Sequence, residues 1–125
     1  LGEEARGRGK DVILAPGINI KRTPACGRNF EYISEDPRLT SELAVPIVRG
    51  IETSDVAACV KHFAMNNQET ERLWVNVEAD ERTMREIYFP AFQAVVRRSA
   101  SRAVLRFRSV LRAESHSPQK PSWLS

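Results

Sequence analysis

At 125 residues, with 42% apolar and 28% charged side chains, the chain has the composition of one globular domain of ordinary size. None of its apolar runs approaches the ~18 residues that cross a bilayer, so no transmembrane helix and no membrane partner are expected. The net charge of +3 is unevenly divided: residues 1–96 carry 12 Lys and Arg against 15 Asp and Glu, whereas residues 97–125 carry 7 against 1.

In chain order, Asp11-Val12-Ile13-Leu14-Ala15-Pro16-Gly17 is a short apolar run closed by Pro-Gly, which predicts a strand buried on both faces and ending near Pro16. Residues 17–38 hold Gly, Pro, Asn and Ser without an apolar period. They are predicted as a loop, and a loop of that length in a compact domain is commonly functional. From Leu39 to Glu52 the apolar Leu43, Ala44, Ile47, Val48 and Ile51 recur at three- and four-residue spacing, the pattern of one helix face. Pro46 argues against a regular middle unless the helix starts late enough to hold it in the first turn. Val56 to Phe63 is the second predicted strand, and Asn66 to Val77 a polar loop with an extended piece at Leu73-Trp74-Val75. Asp80 is a predicted N-cap, after which Met84, Ile87, Tyr88, Ala91 and Val95 form a helical stripe interrupted at Pro90. Strands alternating with helices, without hairpin signals between them, predict βα units on a parallel sheet.

Cys59, inside Val56-Ala57-Ala58-Cys59-Val60, is predicted as a small core residue, and Cys26 as a tolerated loop residue with no His base near it in sequence. Neither has metal-ligand spacing, so no metal is expected. Lys61 and His62 end the second strand, at the carboxyl edge where parallel α/β folds carry their sites. Lys offers three donors, Arg a planar fork, and neutral His both a donor and an acceptor. Lys61 and His62 with Arg28 and Arg72 therefore suit the hydroxyls of a sugar ring. On their own residues, His62 fits an orienting or core imidazole, and Arg72 a surface ion pair beside Glu69 and Glu71. The basic segment from Arg97 to Arg112 is read as a solvated or disordered end, so no nucleic-acid partner is expected; an electrostatic binder of nucleic acid or anionic lipid is the alternative.

Six blocks in order, Glu4-Ala5-Arg6 with Gly9, Asn19-Ile20 with Arg22 and Pro24, Gly27 to Glu31, Ser34 to Pro37, Lys61 to Arg72, and Glu81 to Tyr88, resemble the N-terminal barrel domain of glycoside hydrolase family 3, most closely its β-glucosidases. The resemblance covers residues 3 to about 96. It implies an α/β fold, a partial TIM (β/α)8 barrel of about two βα units, since a whole barrel takes ~250 residues. It implies residues 1–96 as the partial barrel domain and residues 97–125 as an atypical basic tail. Arg28, Lys61, His62 and Arg72 then hold the terminal non-reducing glucosyl unit in subsite −1, and the Lys61-His62 and Phe63-Ala64 peptides are expected to be cis. The implied activity is that of a retaining exo-acting β-glucosidase without metal or organic cofactor, acting on a small-molecule or oligosaccharide β-glucoside. Its nucleophile Asp, in a Ser-Asp-Trp type motif, and its acid/base Glu are expected in the remainder of the barrel and a second domain, so this chain alone is expected to be inactive. Glu31, Glu35 and Asp36 are not taken as a catalytic pair; Glu35 and Asp36 are expected to brace the loop and cap the next helix. β-Xylosidase and N-acetylglucosaminidase are the alternatives within the family. The Asp-Ser-His triplet of the latter is absent beside Ala64-Met65-Asn66-Asn67. A non-catalytic sugar-binding remnant and a nucleic-acid-binding basic tail are the alternatives of another class.

After Val96 the family pattern of a buried strand ending in a Ser-Ala-Tyr-Asn type segment stops, where the charge also changes. This predicts out-of-register sequence from a shifted frame or a misjudged gene boundary. Sequencing the locus is expected to find a barrel strand in another frame beyond Val96; its absence from every frame overturns that prediction.

Overall fold

The computed structural model describes residues 1–99, 103–106 and 110–114. Its elements in order are α1 (Gly2–Gly7), β1 (Val12–Ile13), α2 (Pro37–Glu52), β2 (Ala57–Phe63), β3 (Asn76–Asp80), α3 (Glu81–Thr83), a π-helical turn (Met84–Tyr88), α4 (Phe89–Arg98), β4 (Ala103–Arg106) and β5 (Val110–Glu114). β1, β2 and β4 form a parallel sheet in that order, with Val12 paired to Ala57 and Cys59 to Ala103. β3 and β5 form a separate parallel pair. Helix α2 connects β1 to β2 and α4 connects β2 to β4, so each crossover is the helical connection that a parallel sheet requires.

The apolar faces explain the layering. Val45, Val48 and Ile51 of α2 are buried with Ala58 and Val60 of β2, and Ala91, Phe92 and Val95 of α4 join the same core. Phe63, at the end of β2, stacks on Phe89 at 5.4 Å and meets Phe92 edge-on at 5.0 Å, fixing the helix over the strand's carboxyl end.

Several sequence expectations need correction. Helix α2 begins at Pro37, where a proline loses no intrahelical bond, and Asp36 caps it by accepting from the backbone N–H of Arg38 and Leu39. Pro46 therefore lies well inside the helix, which continues through it. Pro46 is exposed, so water can satisfy the carbonyl it leaves without a partner. The interruption at Pro90 is a widened turn just before it, over Met84–Tyr88, a register change that lets the helix accommodate a residue without an N–H. Asp80 caps as predicted, accepting from Thr83 N–H at 2.8 Å, while the extended piece falls at Asn76–Asp80 rather than at Leu73-Trp74-Val75. Leu73 and Trp74 are in turns and exposed. On the helix surface the carboxylate partners are Arg85 with Glu81 and Arg82 with Glu86, four residues apart.

Helix α1 was not predicted, because a single turn leaves no apolar period. Its Arg6 anchors it by pairing with Asp11 at 2.9 Å and with Asp55 at 2.7 Å. The boundary expected at residue 96 falls inside α4. Beyond it, Ala103–Arg106 lies parallel to β2, a strand built on the apolar run Ala103-Val104-Leu105 between arginines. Residues 115–125 of the basic tail lie outside the described residues. No described helix is long and apolar enough to cross a membrane.

Because Asp36 satisfies two N–H groups at the start of the longest helix, Asp36→Ala is expected to destabilise the chain by about 1 kcal/mol and Asp36→Asn by much less. Urea unfolding followed by circular dichroism measures both.

Candidate functional site

β1 and β2 run parallel, so the loops that follow them open at one edge of the sheet. Gly17 joins these loops through backbone bridges to both Tyr32 and Lys61. A side chain there would crowd its neighbours. A Cβ on Gly17 would lie 3.1 Å from the Tyr32 ring and 3.2 Å from the Glu31 carbonyl oxygen. The close approach sets Glu31 and Tyr32 against the carboxyl end of β2, where Lys61 and His62 project. Both peptides flagged by the resemblance, Lys61-His62 and Phe63-Ala64, are cis, and Ala15-Pro16 is a third.

Three of the four candidate residues converge directly. Arg28 Nη1 lies 3.0 Å from His62 Nε2 and 2.5 Å from Glu31 Oε1, and the other Glu31 oxygen accepts from Lys61 Nζ at 2.7 Å. Arg72 joins at one remove: its Nη1 is 3.3 Å from Glu69 Oε2, while Glu69 Oε1 takes Arg28 Nε at 2.9 Å. Two carboxylates thus alternate with three cations. Lys61 and Glu31 have side-chain exposures of 14% and 16%, against 42% for Arg72, so the inner pair is well shielded and the outer arginine is within reach of water.

The hydrogen-bond order fixes the state of His62. Arginine can only donate, so Nε2 accepts, the imidazole is neutral, and its proton sits on Nδ1. Nδ1 faces Tyr32 Oη at 3.3 Å, and Tyr32 donates onward to the Asn66 carbonyl at 2.9 Å. Burial, reinforced by the Arg28 charge, pushes the His62 pKa down to about 4. Glu31 moves the other way from what burial alone would do: hydrogen bonds and charge from Lys61 and Arg28 outweigh desolvation and hold its carboxyl below the usual range.

Sequence reasoning missed the residues that hold this cluster. Asn19, fully buried, donates to the His62 carbonyl at 2.8 Å and accepts from Met65 N–H at 2.9 Å, supporting Met65 in a left-handed conformation at φ 68°. Its signal was available, since an amide between Ile18 and Ile20 in a buried run demands partners. Asn66 donates to Glu69 at 2.9 Å. Tyr32 carried no sequence signal. Asp36 is occupied as a helix cap, in keeping with its exclusion from a catalytic pair.

Comparison with known proteins identifies the family. The profile of the glycosyl hydrolase family 3 N-terminal domain matches residues 1–116. A β-glucosidase of Bacteroides ovatus is 54% identical over 105 residues, covering 84% of this chain and 14% of the relative. An exo-α-(1→6)-L-arabinopyranosidase of Bifidobacterium longum is 47% identical over 109 residues, again 84% of this chain and 14% of the relative. The solved β-glucosidase 3B of Thermotoga neapolitana in complex with glucose superposes with a TM-score of 0.86 at 48% identity, over 90% of this chain and 16% of that one. The sheet and its crossover helices are part of a TIM barrel. The chain belongs to glycosyl hydrolase family 3, within its N-terminal domain, and spans about one seventh of the length of the curated relatives it matches.

The shift of His62 has a sign. Unfolded His62 binds a proton near pH 6.5, which the folded state refuses until about pH 4, so stability falls as pH drops through that window. Between pH 7 and pH 5 the His62 part of this loss is on the order of 2 kcal/mol. Urea titrations at the two pH values are expected to show it, with the difference reduced in His62→Asn.

Proposed function

We propose that this chain carries part of subsite −1 of a retaining exo-acting β-glucosidase, which hydrolyses terminal non-reducing β-D-glucosyl residues, and that it lacks the nucleophile and the acid/base. The observation that carries the reading is the convergence of Arg28, Lys61 and His62 at the carboxyl edge of a parallel sheet. Cationic donors and a neutral imidazole on a shielded surface suit the dense hydroxyls of a pyranose better than a phosphate, because Glu31 and Glu69 already balance much of their charge. The names of the relatives and the glucose-bound neighbour support a glucoside ligand.

Arg28 and Lys61 are assigned to hydroxyl recognition through their remaining N–H donors, His62 to the same subsite by holding Arg28 in place through Nε2, and Arg72 to the outer rim through Glu69. The sugar-binding role belongs to residues 1–96, with residues 97–125 outside it. Retaining hydrolysis requires two carboxyl groups about 5–5.5 Å apart, one attacking the anomeric carbon and one protonating the leaving oxygen. Glu31 and Glu69 are each engaged by two cations, which occupies their oxygens and suits them to hold side chains rather than to move protons. The arabinopyranosidase relative favours a second reading, with L-arabinopyranose as the ring held; this sugar lacks the C6 hydroxymethyl group of glucose.

Saturation-transfer NMR with glucose and L-arabinose is expected to detect binding of glucose, and Lys61→Met or Arg28→Met to weaken it about tenfold, the size of one lost charge-assisted hydrogen bond. The same protein is expected to release no nitrophenol from 4-nitrophenyl β-D-glucoside above buffer. Turnover by pure chain, or glucose binding unchanged in both variants, contradicts the assignment.

A further inference from the structure

We propose that the consecutive residues Glu31 and Tyr32 are positioning residues, Glu31 setting the spacing between the Arg28 and Lys61 cations and Tyr32, opposite Arg28, holding the Nδ1–H and the ring plane of His62. The proposal rests on the sugar-binding reading above for its purpose and on the geometry alone for its substance.

Glu31 gives one carboxylate oxygen to each cation, Oε1 to Arg28 Nη1 at 2.5 Å and Oε2 to Lys61 Nζ at 2.7 Å. The span of a carboxylate therefore sets how far apart the two charges stand. Without it, a guanidinium and an ammonium on adjoining segments repel, and each turns toward water or toward Glu69. A neutral amide cannot replace it. Gln at this position presents N–H groups to one of two partners that can only donate.

Tyr32 acts on the next group. Its hydroxyl faces His62 Nδ1 at 3.3 Å, donates to the Asn66 carbonyl at 2.9 Å, and receives Asn19 Nδ2 at 3.4 Å. With the phenol's own proton committed to a carbonyl, Oη offers His62 only lone pairs, so Nδ1 must carry the imidazole proton and Nε2 is left as acceptor. The ring is also packed edge-on against Tyr32, with centroids 6.2 Å apart and planes at 74°. Gly17 brings both residues to their places, since its bare backbone bridges Tyr32 on one side and Lys61 on the other. One dipeptide thus sends its two side chains to three of the candidate ligands.

The test uses the full chain. Long-range ¹H–¹⁵N correlation spectra of the imidazoles at pH 7 are expected to show His62 as the Nδ1–H tautomer; an Nε2–H signal overturns the role of Tyr32 without recourse to any variant. Tyr32→Phe keeps the ring and removes the hydroxyl, leaving the tautomer to Arg28 alone; the His62 Nδ1–H resonance is expected to shift and to broaden by exchange as it loses its acceptor, whereas an unchanged spectrum overturns the proposal. For Glu31, glucose titration is expected to weaken at least ~10-fold in Glu31→Gln and less in Glu31→Asp, which retains a carboxylate one methylene shorter. Equal binding by wild type and Glu31→Gln overturns that half. If wild-type chain binds no glucose, the sugar reading fails. The Glu31 role is then read from the Arg28 Nε–H resonance, expected to move in Glu31→Gln as the guanidinium is released, and a static resonance overturns it.

Discussion

A single carboxylate makes the rest of the site possible. Lys61 is held on the last residues of a strand and Arg28 on a loop, and both point into the same partly dry space. Two positive charges brought together there repel strongly, and the repulsion grows as water is excluded. Glu31 removes that obstacle by accepting from both at once. Glu69 repeats the device one step outward between Arg28 and Arg72. The result is a surface with many directed N–H donors and little net charge. Such a surface can hold an uncharged polyol and has less attraction for a phosphate than three unbalanced cations would have.

The scaffold supplies what the carboxylates cannot, which is precision of the backbone beneath them. Parallel strands place the loops after β1 and β2 on one edge, and a fully buried amide, Asn19, ties the second loop to the first by bonding the His62 carbonyl and the Met65 N–H. Met65 sits in a left-handed conformation that a residue with a side chain adopts only when its surroundings demand it, and its neighbour Asn66 accepts from Tyr32 and donates to Glu69. Backbone irregularity and polar side chains are therefore concentrated where the candidate ligands are. The aliphatic residues Val45, Val48, Ile51, Ala58 and Val60 lie in the regular part below.

The sequence disclosed the parts of this arrangement that follow a period or a motif. β2, α2 and the α4 stripe have apolar spacings of their own, and the candidate residues Arg28, Lys61, His62 and Arg72 stand in blocks that the family shares. What escaped notice depends on contacts distant in sequence. Tyr32 acquires its role only when Gly17 brings it 30 residues back from His62. Helix α1 is too short for periodicity, and its place is set by contacts distant in sequence, Ala5 in the core and Arg6 reaching Asp55. The start of α2 is legible in Asp36-Pro37, whereas the apolar pattern alone points two residues later because it begins after the cap. In the tail, seven basic residues against one acidic mask the short apolar run Ala103-Val104-Leu105, which pairs with β2.

This division between holding and reacting has a physical basis. A group that must attack or donate a proton in a transition state needs an unsatisfied lone pair or a mobile proton, and its affinity for protons must lie near that of its partner. Glu31 fails both conditions, since each oxygen is taken by a cation and its carboxyl is held below the usual range. His62 fails as a general base for the same reason, since its one lone pair is engaged by Arg28 and burial disfavours its charged form. The groups that make this surface rigid are thus unsuited to chemistry because they are so well satisfied. A glycosidase built on such a surface has to bring its reactive carboxyls from elements where they remain underbonded, and proximity then comes from the assembly of the barrel rather than from any one segment.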